Sequence, residues 1–347
     1  MSRSDVTREG VKGASPGREA LTGKAAGRHR RRRRGGEEPM VPKAKFSSYY
    51  GKPVLNKPTW KPMDIAGYLF LGGLAGGSSA LAAGAQATGR PGLARAAKAG
   101  AFGAISLSLA ALVHDLGRPA RFLNMLRVFK PTSPMSVGSW LLSGYAPLAA
   151  AATASDLTGR LRPVGTAATA GAAALGPAVA AYTAVLLADT AAPSWHEGYR
   201  ELPFAFVGSG ASAAGGLGML AARVGEAGPA RRMAAFGTAL ELAAIQVMKQ
   251  RMGIASETFE QGKAGRLMHA SEALSGAGAV LALTAGRRSR VAAAAAGTAL
   301  LCGSAALRFG VFHAGVASTE DPKYVVVPQR ERLDEAERQR AERAGGA

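Results

Sequence analysis

The sequence predicts an all-α integral membrane protein with eight transmembrane helices, and three observations predict it. Eight apolar stretches lie between Ile65 and Thr319, most without a single charge for the length that crosses a bilayer. A helix rises 1.5 Å per residue, so about 20 apolar residues span a hydrocarbon core of about 30 Å. The charge sits at the ends: residues 1–61 carry 16 Lys or Arg against 5 acids, and residues 319–347 carry 6 against 7. Those polar ends hold the mean hydropathy at +0.06 although the middle is strongly apolar. Finally, Gly, Ala and Ser crowd the apolar stretches, as at Gly72, Gly73, Gly76 and Gly77 or Gly208, Gly210, Gly215 and Gly216. Small residues let helix backbones approach closely in lipid, where no hydrophobic force drives helices together.

Residues 1–45 are expected to be a disordered basic arm. The run Arg30–Arg34 is followed by Gly35, Gly36, Glu37 and Glu38 rather than by an apolar segment, so a cleavable signal peptide is not expected. Residues 46–61 mix Phe46, Tyr49, Tyr50 and Trp60 with Lys52, Lys57, Lys61 and prolines, a composition suited to the headgroup region. The eight-helix domain is expected over residues 62–318, followed by a charged tail over 319–347. Its first helix should run over 62–89, opened by Pro62, with Asp64 complementing the dipole, and closed at Gly89-Arg90-Pro91. The remaining helices are expected over 94–115, 136–157, 163–189, 201–222, 230–252, 264–286 and 291–315. Residues 132–155, 163–188 and 202–222 hold no charge, whereas 233–248 and 267–286 are interrupted by Glu241, His269 and Glu272. With an even number of crossings both ends share a side. From residue 43 to residue 330 that side has 16 Lys or Arg against 11 on the other, which orients both termini to the cytoplasm.

The net charge of +20 would point to nucleic acid in a soluble protein. Here it lies in the arm and in short loops between apolar runs, so an anionic lipid surface is the expected partner and nucleic acid is not. Cys302 stands alone and cannot form a disulfide, a zinc site or an iron–sulfur cluster. Of the five histidines, His29 is in the arm and His196 in a loop. His114, His269 and His313 lie near helix ends without an obvious facing mate, so no haem is expected in this chain.

The least generic segment is His114-Asp115-Leu116-Gly117-Arg118-Pro119-Ala120-Arg121-Phe122, continuing through Leu123-Asn124-Met125-Leu126 to Phe129-Lys130-Pro131. A membrane helix ends on a His-Asp pair and turns into a stretch of cations and phenylalanines that suits an interface. An ordinary positively charged loop is the alternative. The strings D-L-G-R-P-x-R-F-x-N-M-L and F-K-P-x-S-P-M-S-x-G-S-W, over Asp115–Trp140, resemble the NrfD/polysulfide reductase membrane-subunit family, and the resemblance extends over about residues 46–318. It implies eight helices in two four-helix bundles, without haem or metal. It further implies a quinol site at the face where an iron–sulfur subunit docks and passes electrons to a molybdopterin oxidoreductase subunit. The long Arg-rich arm departs from that pattern. Under this resemblance the chain is a multi-pass plasma-membrane protein whose diffusible substrate is menaquinol or a related quinol.

Asp115 is the expected proton acceptor, because it sits at the negative end of a helix where a carboxylate is disfavoured. His114, Arg118 and Arg121 are the expected quinone-binding residues beside it. Asp189-Thr190-Ala191-Ala192-Pro193-Ser194-Trp195 echoes Asp115–Pro119 at the end of another helix, which makes Asp189 and Trp195 candidates for the opposite wall, with Tyr145 as a further donor. Within the apolar stretches Glu241, His269 and Glu272 are candidates for a proton path; the alternative is an ion pair of Arg308 with Glu241 or Glu272. An embedded charge costs about 2.5–3.5 kcal/mol on insertion scales, so each should find a partner. A secondary transporter and a passive anchor are the competing functions; the apolar stretches over 65–89 and 202–222 are Gly-rich, but neither presents a polar cluster at mid-depth.

Overall fold

The computed structural model of the protein describes residues 54–115 and 124–345, together with Val6–Thr7 and Gly10–Val11. Most of the expected arm over 1–45, residues 46–53, and the candidates Arg118 and Arg121 thus lie outside the described residues. The chain divides into two compact units, one of residues 59–315 and one of residues 1–58 and 316–347.

Each apolar stretch has become one long helix. The first unit holds α1 (Pro62–Ala87), α2 (Pro91–Asp115), α3 (Pro134–Thr158), α4 (Arg162–Ala188), the five-residue α5 (Pro193–Glu197), α6 (Leu202–Ala221), α7 (Gly228–Arg251) and α8 (Gly262–Leu283). It also holds most of α9 (Arg290–Glu320) and a 3-10 segment, Gly253–Phe259. Proline opens α1, α3, α4, α6 and α7 in the first helical turn, where its missing N–H costs nothing. Gly159, left-handed at φ 68°, closes α3 and allows a three-residue turn into α4.

Five of these helices, α1, α2, α4, α6 and α9, are long and apolar enough to cross a membrane by length and composition. Apart from the five-residue α5, the remaining helices α3, α7 and α8 are more polar or less greasy. α7 carries Arg231, Arg232, Glu241, Lys249 and Arg251, and α8 carries Lys263, Arg266 and Glu272. α3 is uncharged before Asp156 but is built largely of Ala, Ser, Gly and Thr.

α1 packs against α2, α4 and α6; α3 lies against α2 and α4; α6 lies against α7, and α7 against α8. The closest crossings are made by glycine. Gly76 of α1 meets Gly176 of α4 backbone to backbone, and a Cβ added at Gly210 of α6 would stand 2.6 Å from the carbonyl oxygen of Gly73. Gly216 of α6 meets Gly297 of α9 in the same way. These contacts make the Gly-rich stretches packing seams, with α1 and α6 the most enclosed of the candidate spans. At one end of the helices Leu81, Leu93, Met219 and Leu300 form an apolar cluster with partly buried Met233 and Leu281.

In the second unit β1 (Val6–Thr7) pairs antiparallel with β2 (Gly10–Val11). The charged tail forms a helix, α10 (Lys323–Gly345), whose Tyr324 is buried and whose remaining described side chains are largely exposed. Lys57 pairs with Glu320 there.

Candidate functional site

The end of α2 meets the start of α1. His114 Nδ1 lies 3.0 Å from Asp64 Oδ2, with the Asp64 side chain 16 % exposed and that of His114 66 % exposed. Asp64 stands in the first turn of α1, where the helix dipole favours a carboxylate, whereas Asp115 ends α2, where the dipole opposes one. Asp64, Lys61 and His114 all lie within electrostatic reach of the half-buried Asp115. Two carboxylates and one imidazole, with a lysine at the rim, therefore converge on one helix-end surface. The sequence marks Asp64 only as a complement to the dipole; its partner is 50 residues further on.

Beneath this cluster lie two tyrosines. Tyr68, one turn below Asp64, meets Tyr182 of α4 edge to face at 6.4 Å, and the Tyr182 hydroxyl is buried with no hydrogen-bond partner among the described residues. Gly138 of α3 packs on the Tyr182 ring, which no larger residue would permit. Sequence reading missed Tyr182; an unbonded buried hydroxyl has no signature in composition.

The other candidates fall into different places. Tyr145 is fully buried, donates to the Ala75 carbonyl at 2.6 Å and lies 2.6 Å from Ser79 Oγ. Fifteen residues of α1 separate Asp64 from Ser79, about 22 Å of helix, so Tyr145 is an interior packing residue and not a wall of the Asp115 cluster. Trp195 is on the same helix-end surface but is fully buried, with Nε1 donating to the Val311 carbonyl at 2.7 Å. Its ring stacks on Trp60 at 5.8 Å and packs on Phe312 at 5.8 Å. Trp195 thus pins the segment before α1 to α5 and α9 instead of facing an open site. Asp189 follows α4 as an exposed residue and makes no hydrogen bond or ion pair with His114 or Asp115. Arg118 and Arg121 lie outside the described residues.

The expected proton-path residues are likewise separated. Glu272 pairs with Lys249 of α7 at 3.0 Å, and His269 is exposed on α8. Glu241 is 1 % exposed and accepts from Ser271 at 3.2 Å and Ser275 at 3.3 Å. Arg308 is fully buried, donates to the Phe206 carbonyl at 2.8 Å and lies 3.7 Å over the Phe206 ring. The alternative, a direct ion pair of Arg308 with Glu241 or Glu272, does not form: Glu272 is taken by Lys249, and Glu241 and Arg308 interact through space, with Glu241 Oε2 and Arg308 Nη1 unbonded among the described residues. Gly73 supplies the room, since a Cβ there would lie 2.9 Å from Arg308 Nη2.

On the same surface as Asp64, Arg251 at the end of α7 makes a two-pronged contact with Glu201 at 2.8 and 2.7 Å. That hydrogen bonding holds the Glu201 carboxyl below the usual carboxylate range and ties the start of α6 to the end of α7. Tyr199 lies beneath both Arg200 and Arg251. After residue 123 the loop exposes Val128 and Phe129, and Phe129 meets Trp140 edge to face at 6.2 Å.

No curated protein matches the chain significantly. The helical core, with its His-Asp ending on α2, coincides with the region that a family model recognises: residues 55–318 match polysulphide reductase, NrfD, and the chain belongs to that family of membrane subunits of quinone-linked oxidoreductase complexes.

Proposed function

We propose that this chain is the quinol-reactive membrane subunit of a complex with an iron–sulfur subunit and a molybdopterin oxidoreductase subunit. The observation that carries the reading is the His114, Asp64 and Asp115 cluster at a membrane helix end. Oxidation of a quinol releases two protons and two electrons and leaves a quinone. Asp115 accepts the first hydroxyl proton, and His114, oriented by Asp64, accepts the second. The electrons leave to an iron–sulfur cluster in the docked subunit. Tyr182, whose hydroxyl has no partner among the described residues, would hydrogen-bond a quinone oxygen from below. Arg118 and Arg121, which follow Asp115 in the sequence, are the cations we assign to the headgroup. Arg127, Lys130 and the exposed Val128 and Phe129 offer the docked subunit an apolar patch with cationic edges.

The same reading extends to the membrane arrangement. The helices α1–α4 form one four-helix bundle and α6–α9 the second, joined along α1 and α6, and all eight cross the plasma membrane with both termini in the cytoplasm. Packing of α1 with α2 and α4, and of α6 with α7 and α9, supports this grouping. Cysteines introduced at residues 160 and 325 should label from opposite sides of the membrane; labelling from one side would remove the eight-crossing topology. Glu241 is the interior group through which proton movement could be linked to turnover.

The functional test is made on the purified complex with menaquinol as donor. With this chain present, quinol-dependent turnover is expected, and a crosslinker on Arg127→Cys should capture the iron–sulfur subunit. Without it, the soluble subunits should keep activity with an artificial electron donor but lose quinol oxidation. Quinol oxidation persisting without the chain would reduce it to a passive anchor.

A further inference from the structure

At the opposite end of α2 from Asp115, about 36 Å along the helix, the structure holds a second polar site with no part in the quinol reading. A cavity of about 300 Å³ opens where α1 and α3 end and α2 and α4 begin. Four cations line it, Arg90, Arg95, Lys98 and Arg162, against one acid, Asp156. Asp156 accepts from Arg95 Nε at 3.0 Å and from Lys98 Nζ at 3.2 Å. Lys98 is 7 % exposed, an unusual burial for a lysine beside a membrane surface. One carboxylate cannot neutralise two cations, and Arg90 and Arg162 add two charges that no acid pairs among the described residues. The cavity therefore keeps an excess of about three positive charges at full ionisation.

The shape is built rather than accidental. Gly89, left-handed at φ 67°, and Gly159, at φ 68°, allow turns of three residues, so the two helix starts lie close to the two helix ends. Ser155 donates to the Arg160 carbonyl at 2.8 Å and fixes the second turn. The Leu93 N–H at the start of α2 is already taken by Glu226 at 3.0 Å, so the positive potential of the cavity comes from its side-chain cations. Gln86 donates from Nε2 to Thr166 Oγ1 at 3.1 Å, and its Oε1 is buried with no donor among the described residues. The ligand chemistry follows: a phosphate for the cations and a hydroxyl for Gln86.

We propose that this cavity binds the phosphate of an anionic glycerophospholipid whose headgroup carries a free hydroxyl, as in phosphatidylglycerol. The site lies at the ends of helices whose apolar bodies adjoin it, so acyl chains could lie along them while the headgroup enters the cavity. A soluble phosphate would satisfy the cations but would gain nothing from the adjoining apolar surface.

The test uses the full chain in detergent after delipidation, with lipid binding read by native mass spectrometry. Phosphatidylglycerol should bind at least tenfold more tightly than phosphatidylcholine. The double variant Arg90→Gln/Arg162→Gln, which leaves the Asp156 contacts intact, should lose at least tenfold for phosphatidylglycerol. Arg287→Gln/Arg288→Gln, a basic pair in another loop of this end, should change it little. Equal binding of the two lipids, or equal losses from both double variants, would overturn the proposal in favour of diffuse surface charge. Inorganic phosphate displacing the lipid at millimolar concentration, with the same dependence on Arg90 and Arg162, would keep the anion site but assign it to soluble phosphate and overturn the lipid assignment.

Discussion

Asp115→Asn is expected to leave the complex assembled and to lower quinol-dependent turnover by roughly 10²-fold or more, the usual span for removal of a general base. The amide keeps the shape of the carboxyl and loses its ability to take a proton. His114 and Asp64 remain in contact in the variant, so headgroup binding should persist, and a quinone analogue should bind with an affinity within a few-fold of the parent. Asp64→Asn should act differently. Asp64 is a positioning residue for the imidazole at 3.0 Å. Its loss should lower turnover per assembled complex while a quinone analogue still binds, because a carboxamide holds the imidazole less firmly than a charged carboxylate does. A purely structural role for Asp64 would lower assembled yield without lowering turnover per assembled complex. Normal turnover by assembled Asp115→Asn would remove Asp115 as acceptor. Failure to assemble would make the carboxylate a structural element of the α2 ending.

How far such a site can be read from sequence depends on what kind of information each residue carries. Helix limits are legible because their signals are covalent: Pro62, Pro134 and Pro163 near helix starts, and Gly89 and Gly159 at closing turns, bring the observed ends within a few residues of those expected. The larger departure is α9, which runs on through Gly315 to Glu320 and stops just before Asp321-Pro322. Rotation about each helix axis is not legible. Helices that are apolar on all sides carry no stripe to say which face turns inward, so the meeting of side chains must come from packing. That is why the same-side placement of Asp115 and Trp195 follows from counting crossings, yet the burial of Trp195 between Trp60 and Phe312 does not. It is also why Lys249, rather than Arg308, becomes the partner of Glu272. Tyr145 shows the same limit in depth: its place in the chain fits the site, but its hydroxyl is committed to Ala75 far along α1.

Glu241 and Arg308 provide the sharpest test of the interior. Arg308→Met is expected to abolish most recovery of folded protein, and Glu241→Gln to reduce it less. Breaking a buried pair by deleting one partner typically costs about 3–5 kcal/mol, because the remaining charge is left uncompensated. Arg308 has the larger expected effect because it also holds the Phe206 carbonyl and the Phe206 ring, contacts that knit α9 to α6. The combined variant Glu241→Gln/Arg308→Met should therefore recover part of the loss, since neither charge is then stranded, but not the part due to the lost α9–α6 contacts. Thermal midpoints in detergent for the two single variants and the double variant form a cycle whose coupling measures the charge interaction alone. Strict additivity would mean that the two groups do not compensate each other. A different outcome separates structure from proton movement: Glu241→Gln that folds with an unchanged midpoint, oxidises quinol normally, and yet alters only the proton release accompanying turnover would make Glu241 part of a proton path. Loss of stability with partial rescue by Arg308→Met would instead make the pair a charge-balanced lock, held apart by the serines of α8 and by the space that Gly73 leaves on α1.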